Sequence, residues 1–170
     1  RQRGNQTARP AHEKRCPHDA SVDGNGARSR MLAMSRTTSR LMMALGVLLV
    51  IQLIPVRRDN PEDQRGPGAS PDVEVVLRRA CYDCHSHETR WPWYSRVAPV
   101  SWLVAYDVHE AREHFNLSDF QDLSEGTATK VRAAAIKEVE EGRMPLWYYR
   151  PFHPDAQLSE ADRAVLRTWK

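Results

Sequence analysis

The residues best suited to chemistry lie at positions 81–85, which read Cys-Tyr-Asp-Cys-His. This C-x-x-C-H pattern is the attachment signature of c-type haem. Two thiols three residues apart can each add to one of the two vinyl groups of a haem, and the next residue is then held under the iron. The pattern therefore predicts that Cys81 and Cys84 bind the porphyrin and that His85 is the proximal iron ligand.

Three other uses of this cysteine pair compete with haem attachment. A thioredoxin-like redox pair is expected within a βαβ unit, and the sequence shows no strand-like alternation. A zinc site needs two more ligands at similar spacing, and no second pair of that kind follows in the chain. A structural disulfide between Cys81 and Cys84 stays open as an alternative, but it leaves His85 without an explanation.

A second iron ligand is predicted in the segment 142–145, which reads Gly-Arg-Met-Pro. Met144 is the only methionine after residue 56, and it follows a predicted helix rather than lying on an apolar helical face. Its thioether is a soft donor that favours ferrous iron, so His/Met ligation raises the reduction potential. Two alternatives are a methionine that only fills space and a different ligand, His109, on the helical stripe with Trp102 and Tyr106.

Aromatic residues follow both parts of the predicted site. They are Trp91, Trp93, Tyr94, Trp147, Tyr148 and Tyr149. A haem is a large flat apolar plate, and aromatic rings pack well against it while shielding it from water. We interpret these residues as part of a haem pocket, although ordinary core packing explains them equally well.

Apolar periodicity predicts four helices and no strands in this part of the chain. The first predicted helix starts at residue 72, the second spans about 100–115, the third spans about 128–141, and the fourth starts at residue 159. Asp72 is the predicted cap of the first helix, and Cys84 is placed on its apolar face. Gly142 is the predicted stop of the third helix, and Ser159 with Asp162 forms a capping-box pattern at the fourth. The domain is therefore predicted to be all-α.

Composition separates this domain from the start of the chain. The sequence has 170 residues, is 41% hydrophobic and 28% charged, and carries three cysteines and a net charge of +3. Residues 1–56 carry nine Lys or Arg and three Asp or Glu, a net of +6, whereas residues 57–170 carry a net of −3. The mildly acidic second part excludes a uniformly basic surface for nucleic acid, so no nucleic-acid partner is expected. Three cysteines are too few for a disulfide scaffold.

The first 30 residues contain no Leu, Ile, Met, Phe, Trp or Tyr. They cannot bury a core, so residues 1–30 are predicted to be a disordered basic extension. We expect the natural start of the protein at Met31 or Met34, which would place the extension upstream of it.

An apolar segment follows the extension. Residues 41–56 carry no charge and come after Arg36 and Arg40, the layout of a secretory signal. No small-residue cleavage site follows, so residues 31–56 are predicted to be an uncleaved membrane anchor, although the uncharged stretch is shorter than the about 20 residues that span a bilayer. Residues 57–70 are predicted to be a linker, which leaves residues 71–170 for one domain.

The chain resembles the bacterial haem-binding domain family of small monohaem c-type cytochromes. The segments that carry the resemblance read PVRRDNP, CYDCHSHETRWPWYSRVAPVSWLVAYDV, EGRMP and HPDAQLSEADRAVLRTW. The resemblance covers residues 41–170. It implies a class I cytochrome-c-like helical fold around a covalent haem, with His85 and Met144 as the axial ligands.

The sequence therefore predicts a membrane-anchored, one-electron carrier with one covalent haem c per chain, and not an enzyme. Haem of this type is normally attached on the outer side of the cytoplasmic membrane. We thus expect a bacterial inner-membrane protein whose haem domain faces the periplasm and exchanges electrons with a redox partner protein. One alternative is a haem-based sensor or peroxidase-like enzyme with an open or displaceable sixth ligand. Another is a haem-free zinc or structural module.

Overall fold

The computed structural model describes residues 35–62 and 65–170. Within them the α-helices are α1 (Arg36–Ile51), α2 (Pro71–Ala80), α3 (Tyr82–His85), α4 (Val100–His114), α5 (Glu125–Glu140) and α6 (Glu160–Leu166). Short 3-10 helices span Trp93–Arg96, Phe120–Asp122, Arg150–Phe152 and Pro154–Ala156. No strand occurs among the described residues, so the predicted all-α class is confirmed for them.

The backbone divides into two units at Met42, and the second unit, Met43–Lys170, contains α2 to α6. The predicted extension, residues 1–30, lies outside the described residues, and so do the two candidate start positions, Met31 and Met34. Helix α1 has no buried residue, and its large apolar side chains from Leu41 to Val50 are exposed. Among the described residues, no helix has both the length and the hydropathy that a membrane span requires.

The predicted first helix is interrupted at Cys81. Pro71 occupies the first turn of α2, and Ser70, rather than Asp72, is its N-cap. Cys81 departs from helical geometry (φ −122°, ψ −35°), and its carbonyl accepts hydrogen bonds from the amides of Cys84 and His85 at 3.1 and 2.9 Å. The placement of Cys84 on the apolar face of this helix was therefore wrong, because the motif forms a separate short helix.

The ends of the later helices follow their capping residues. Helix α5 begins at Glu125, earlier than predicted, because the Ser124 hydroxyl accepts a hydrogen bond from the amide of Thr127. The capping box at α6 is confirmed, since Ser159 and Asp162 each accept a hydrogen bond from the amide of the other. Gly142 takes the left-handed conformation (φ 73°) just after α5, which confirms it as the stop.

The apolar core is formed by side chains from α2, α5 and α6 and from the segments near them. Its buried members are Val73, Val76, Leu77, Tyr82, Leu117, Phe120, Ala128, Val139, Leu166 and Trp169. The guanidinium of Arg79 adds a polar link, donating to Asp162 Oδ1 at 2.5 Å and to the Asp155 carbonyl at 2.9 Å. This core fixes the end of α2, and with it the start of the C-x-x-C-H motif.

The described part of the predicted linker lies against this domain. Asn60 donates from Nδ2 to the Thr89 carbonyl at 2.8 Å, and Arg112 donates to Asn60 Oδ1 at 3.2 Å. Further along, Arg65 forms a two-bond ion pair with Asp122. Specific polar contacts therefore hold the segment before α2 against the domain.

Candidate functional site

All four residues predicted to bind the cofactor line one cavity of about 600 Å³. Cys81, Cys84 and His85 come from the motif, whereas Met144 comes from the loop after α5. This volume is typical of ligand and cofactor sites, which run from about 300 to 1,000 Å³. The fold thus brings together two segments that are far apart in the sequence.

The walls of the cavity are largely apolar. Helix α4 contributes Ala111, its C-cap contributes Phe115, and helix α5 contributes Val131, Ala135 and Val139. Small and apolar side chains leave room for a flat hydrophobic macrocycle and give it dry surfaces to contact. The cavity therefore suits a haem by its volume and by its largely apolar lining.

The imidazole of His85 is oriented by the end of α4. Its Nδ1 lies 3.2 Å from the Phe115 carbonyl oxygen, and its ring stacks on the Phe115 ring at 4.1 Å and 14°. Because a carbonyl only accepts, Nδ1 must carry the proton, which leaves the lone pair on Nε2. Burial lowers the pKa of His85 and favours the neutral form. A neutral imidazole with a free Nε2 is the form that binds iron.

No disulfide joins Cys81 and Cys84, and both side chains line the cavity. Burial raises the pKa of Cys81 and of Cys84 to about 12 in each case. Both thiols are therefore protonated at neutral pH, which argues against a thioredoxin-like pair, because that chemistry needs a readily formed thiolate. The zinc alternative also lacks ligands, since no three His, Cys, Asp or Glu side chains of the described residues come together as a metal cluster.

Met144 reaches the cavity through a tight turn. After Gly142 reverses the chain, the amides of Arg143 and Met144 both donate to the Glu138 carbonyl, at 2.9 and 3.1 Å. The half-buried Met144 side chain lines the cavity and also packs against the core. Its position therefore suits an iron ligand, and the packing role predicted as the alternative is present as well.

Helix periodicity decides which histidine of α4 reaches the cavity. The residues of α4 and its C-cap that line it are Tyr106, Asp107, Glu110, Ala111, His114 and Phe115. His109 lies outside this stripe, its side chain is 72% exposed, and its Nε2 pairs with Glu113 at 3.2 Å. The alternative of His109 as an iron ligand is therefore not supported by its position. His114, which sequence reasoning did not select, lies at the cavity instead.

Only two of the six aromatic residues assigned to the pocket line the cavity, namely Tyr148 and Tyr149. Trp93 and Trp147 are 77% and 73% exposed. The Tyr148 hydroxyl donates to Asp107 at 3.1 Å, and burial, reinforced by this carboxylate, raises the pKa of Tyr148 to about 12. The predicted position at the pocket is found for these two tyrosines, whereas Trp93 and Trp147 do not line the cavity.

Sequence reasoning missed Arg112, because no motif marks it. Its half-buried guanidinium donates from Nε to the Ser86 carbonyl at 2.8 Å and from Nη2 to Thr89 Oγ1 at 2.9 Å. Burial lowers the pKa of Arg112, and the nearby Asp59 opposes this effect. Arg112 therefore holds the loop that follows His85 against α4, although it does not line the cavity.

A helical domain with two thiols, an imidazole and a thioether around one apolar cavity has the features of a haem-binding protein. The family model described as Haem-binding domain matches residues 46–170, which is most of the chain. The protein belongs to this family, and its cofactor is a haem. No curated protein and no solved structure matches the chain.

The cavity wall provides a direct test of where the haem lies. Replacing Ala135 with Phe places a ring in the cavity, so we expect Ala135→Phe to lower the haem content of the purified protein several-fold. Ala133→Phe is the matched control, because Ala133 lies on the same helix, is exposed and does not line the cavity. Haem content is measured by absorbance against protein concentration, with circular dichroism to verify helix content. Equal haem content in both variants would place the haem elsewhere.

Proposed function

We propose that this haem-binding protein is a monohaem c-type cytochrome that carries one electron and does not act as an enzyme. A bound haem supplies an iron that cycles between the ferric and ferrous states. The observation that carries the proposal is the convergence of Cys81, Cys84, His85 and Met144 on one apolar cavity. The protein would then supply attachment, ligation and burial, which set the reduction potential.

Each cysteine has a defined part in the proposed attachment. Cys81 would hold one vinyl group of the haem through a thioether, with the sulfur on one vinyl carbon and the thiol proton on the other. Cys84 would hold the second vinyl group in the same way. Both additions would conserve all atoms and would need no oxidant.

His85 and Met144 would hold the haem iron in this proposal. The hydrogen bond from His85 Nδ1 to the Phe115 carbonyl would hold the ring in one orientation and strengthen Nε2 as a donor. The Met144 thioether would favour the ferrous state and raise the potential. A sensor or peroxidase-like function would instead require a sixth position that is open or readily vacated.

We also propose that the N-terminal segment anchors the domain to the bacterial inner membrane, with the domain in the periplasm. Residues 41–56 carry no charge, and the described residues of α1 bury no side chain. Covalent haem of this type is normally attached outside the cytoplasmic membrane, which supports the same orientation. Electrons would pass to and from a separate redox protein.

Removal of both thiols tests covalent attachment. We expect the Cys81→Ala/Cys84→Ala variant, expressed with haem attachment machinery, to lose all haem that survives denaturation, since no carbon–sulfur bond can form. Haem staining of a denaturing gel gives this result directly. The third cysteine of the 170-residue chain, Cys16, lies in the extension before Met31. The single variant Cys16→Ala of that full chain is the control and should retain full staining. Covalent haem in the double variant would contradict c-type attachment.

Removal of the thioether tests the sixth ligand. We expect Met144→Ala to keep its covalent haem, to lose the weak far-red charge-transfer band of a Met-ligated ferric haem and to fall in reduction potential. Leu146→Ala removes another apolar side chain from the cavity wall and should retain the band. Spectra with and without reductant and a redox titration measure both effects. A ferric high-spin spectrum in the wild-type protein would favour the sensor or peroxidase alternative.

Charge within the apolar segment tests the anchor. Each Arg at the centre of an inserted helix costs about 2.5–3.5 kcal/mol, so the Leu45→Arg/Leu49→Arg variant is expected in the soluble fraction after alkaline extraction of membranes. The wild-type protein and the Leu45→Ile/Leu49→Ile control are expected in the membrane pellet. Release of the wild-type protein by the same extraction would rule out the anchor.

A further inference from the structure

The residues between the two motif cysteines suggest a role that the proposed function does not use. We infer that Asp83 is a positioning residue, which fixes the Met144 loop to the C-x-x-C-H motif through the hydroxyl of Tyr149. This inference rests on the proposed function, because it concerns how the two proposed ligand-bearing segments are held relative to each other.

Asp83 is a buried carboxylate with a complete set of partners. It is 8% exposed, and its Oδ1 accepts from the amide and from Nε of Arg90, both at 3.1 Å. Its Oδ2 accepts from Nη2 of Arg90 at 3.1 Å and from the Tyr149 hydroxyl at 2.9 Å. A buried charge is stable only when it is paired and hydrogen-bonded in this way. The Tyr149 bond is thus one of four that hold this carboxylate in place.

The bond between Asp83 and Tyr149 joins the two segments that carry the proposed ligands. Asp83 lies on α3 directly before Cys84 and two residues before His85. Tyr149 follows Met144 by five residues and lines the same cavity. No other hydrogen bond between residues 81–85 and residues 142–149 is found among the described residues. Loss of the Tyr149 hydroxyl would therefore free the loop from the motif without altering either ligand.

The Tyr149 ring is itself held in place, which gives its hydroxyl a fixed direction. The ring stacks on His153 at 3.9 Å and 8°, and His153 Nε2 lies 2.5 Å from the Tyr94 hydroxyl. Burial, followed by the Asp83 charge, raises the pKa of Tyr149, so the hydroxyl stays a donor at neutral pH. A ring held in this way, with a protonated hydroxyl, can fix the distance between the motif and the Met144 loop.

The other intervening residue of the motif provides a matched control. Tyr82 is also buried, and its hydroxyl donates to Glu74 on α2 at 2.5 Å. Tyr82→Phe and Tyr149→Phe each remove a hydroxyl that donates a hydrogen bond to a carboxylate. Only the second change cuts the link between the motif and the Met144 loop.

The test compares these two variants as full-length, haem-loaded proteins. We expect Tyr149→Phe to keep its covalent haem, to weaken the far-red charge-transfer band and to bind added imidazole about tenfold more tightly, because a hydrogen bond to a charged group that restrains the loop is lost. Tyr82→Phe should keep the wild-type band and imidazole affinity. Equal changes in both variants, or none in Tyr149→Phe, would overturn the inference.

A second measurement does not depend on Met ligation. Amide hydrogen exchange of residues 142–149 should be faster in Tyr149→Phe than in Tyr82→Phe. Adding Asp83→Asn to Tyr149→Phe should increase the exchange of this segment little further, because the hydrogen bond through which Asp83 acts on it is already absent. Absence of the far-red band from the wild-type protein would contradict the proposed Met ligation. The amide hydrogen exchange of residues 142–149 would still test the role of Asp83. Unchanged exchange in Tyr149→Phe would overturn it.

Discussion

The hydrogen bond between His85 Nδ1 and the Phe115 carbonyl is the contact on which the site depends. It fixes the tautomer and the ring direction, and stacking on Phe115 limits rotation. The backbone reinforces it, because the Leu117 amide donates to the His85 carbonyl at 2.6 Å. The end of α4 therefore holds the histidine in one orientation before any ligand is bound, which lowers the cost of binding in that geometry.

Helix α5 contributes side chains to both the apolar core and the cavity wall. The core takes side chains from α2, α5 and α6. Val131 and Ala135 of α5 pack against it and also border the apolar cavity of about 600 Å³. A haem in this cavity would bury the apolar surface of its walls. We therefore expect the cofactor to contribute to the stability of the domain as well as to its function.

Polar links determine how the loops around the cavity are placed. Arg112 holds the loop after the motif, and Asp83 with Tyr149 connects the motif to the Met144 loop. These links are made by side chains that bind no cofactor in our proposal. These links would set the distance between the loops and the motif and would limit the mobility of the loops. Both determine how firmly a weak thioether donor can be held. The ligands define what chemistry is available, and the surrounding hydrogen bonds define how stable that arrangement is.

The local sequence determined much of this protein. The C-x-x-C-H motif, the capping box at Ser159 and the stop at Gly142 all follow from the properties of a few adjacent residues, as does the all-α class. The tertiary structure decided the rest. It interrupted the first helix at Cys81, turned His109 away from the cavity and His114 towards it, and left Trp93 and Trp147 exposed. Periodicity gives the spacing of residues along a helix, but the face that becomes the cavity wall depends on how the helices pack, which involves contacts between distant segments.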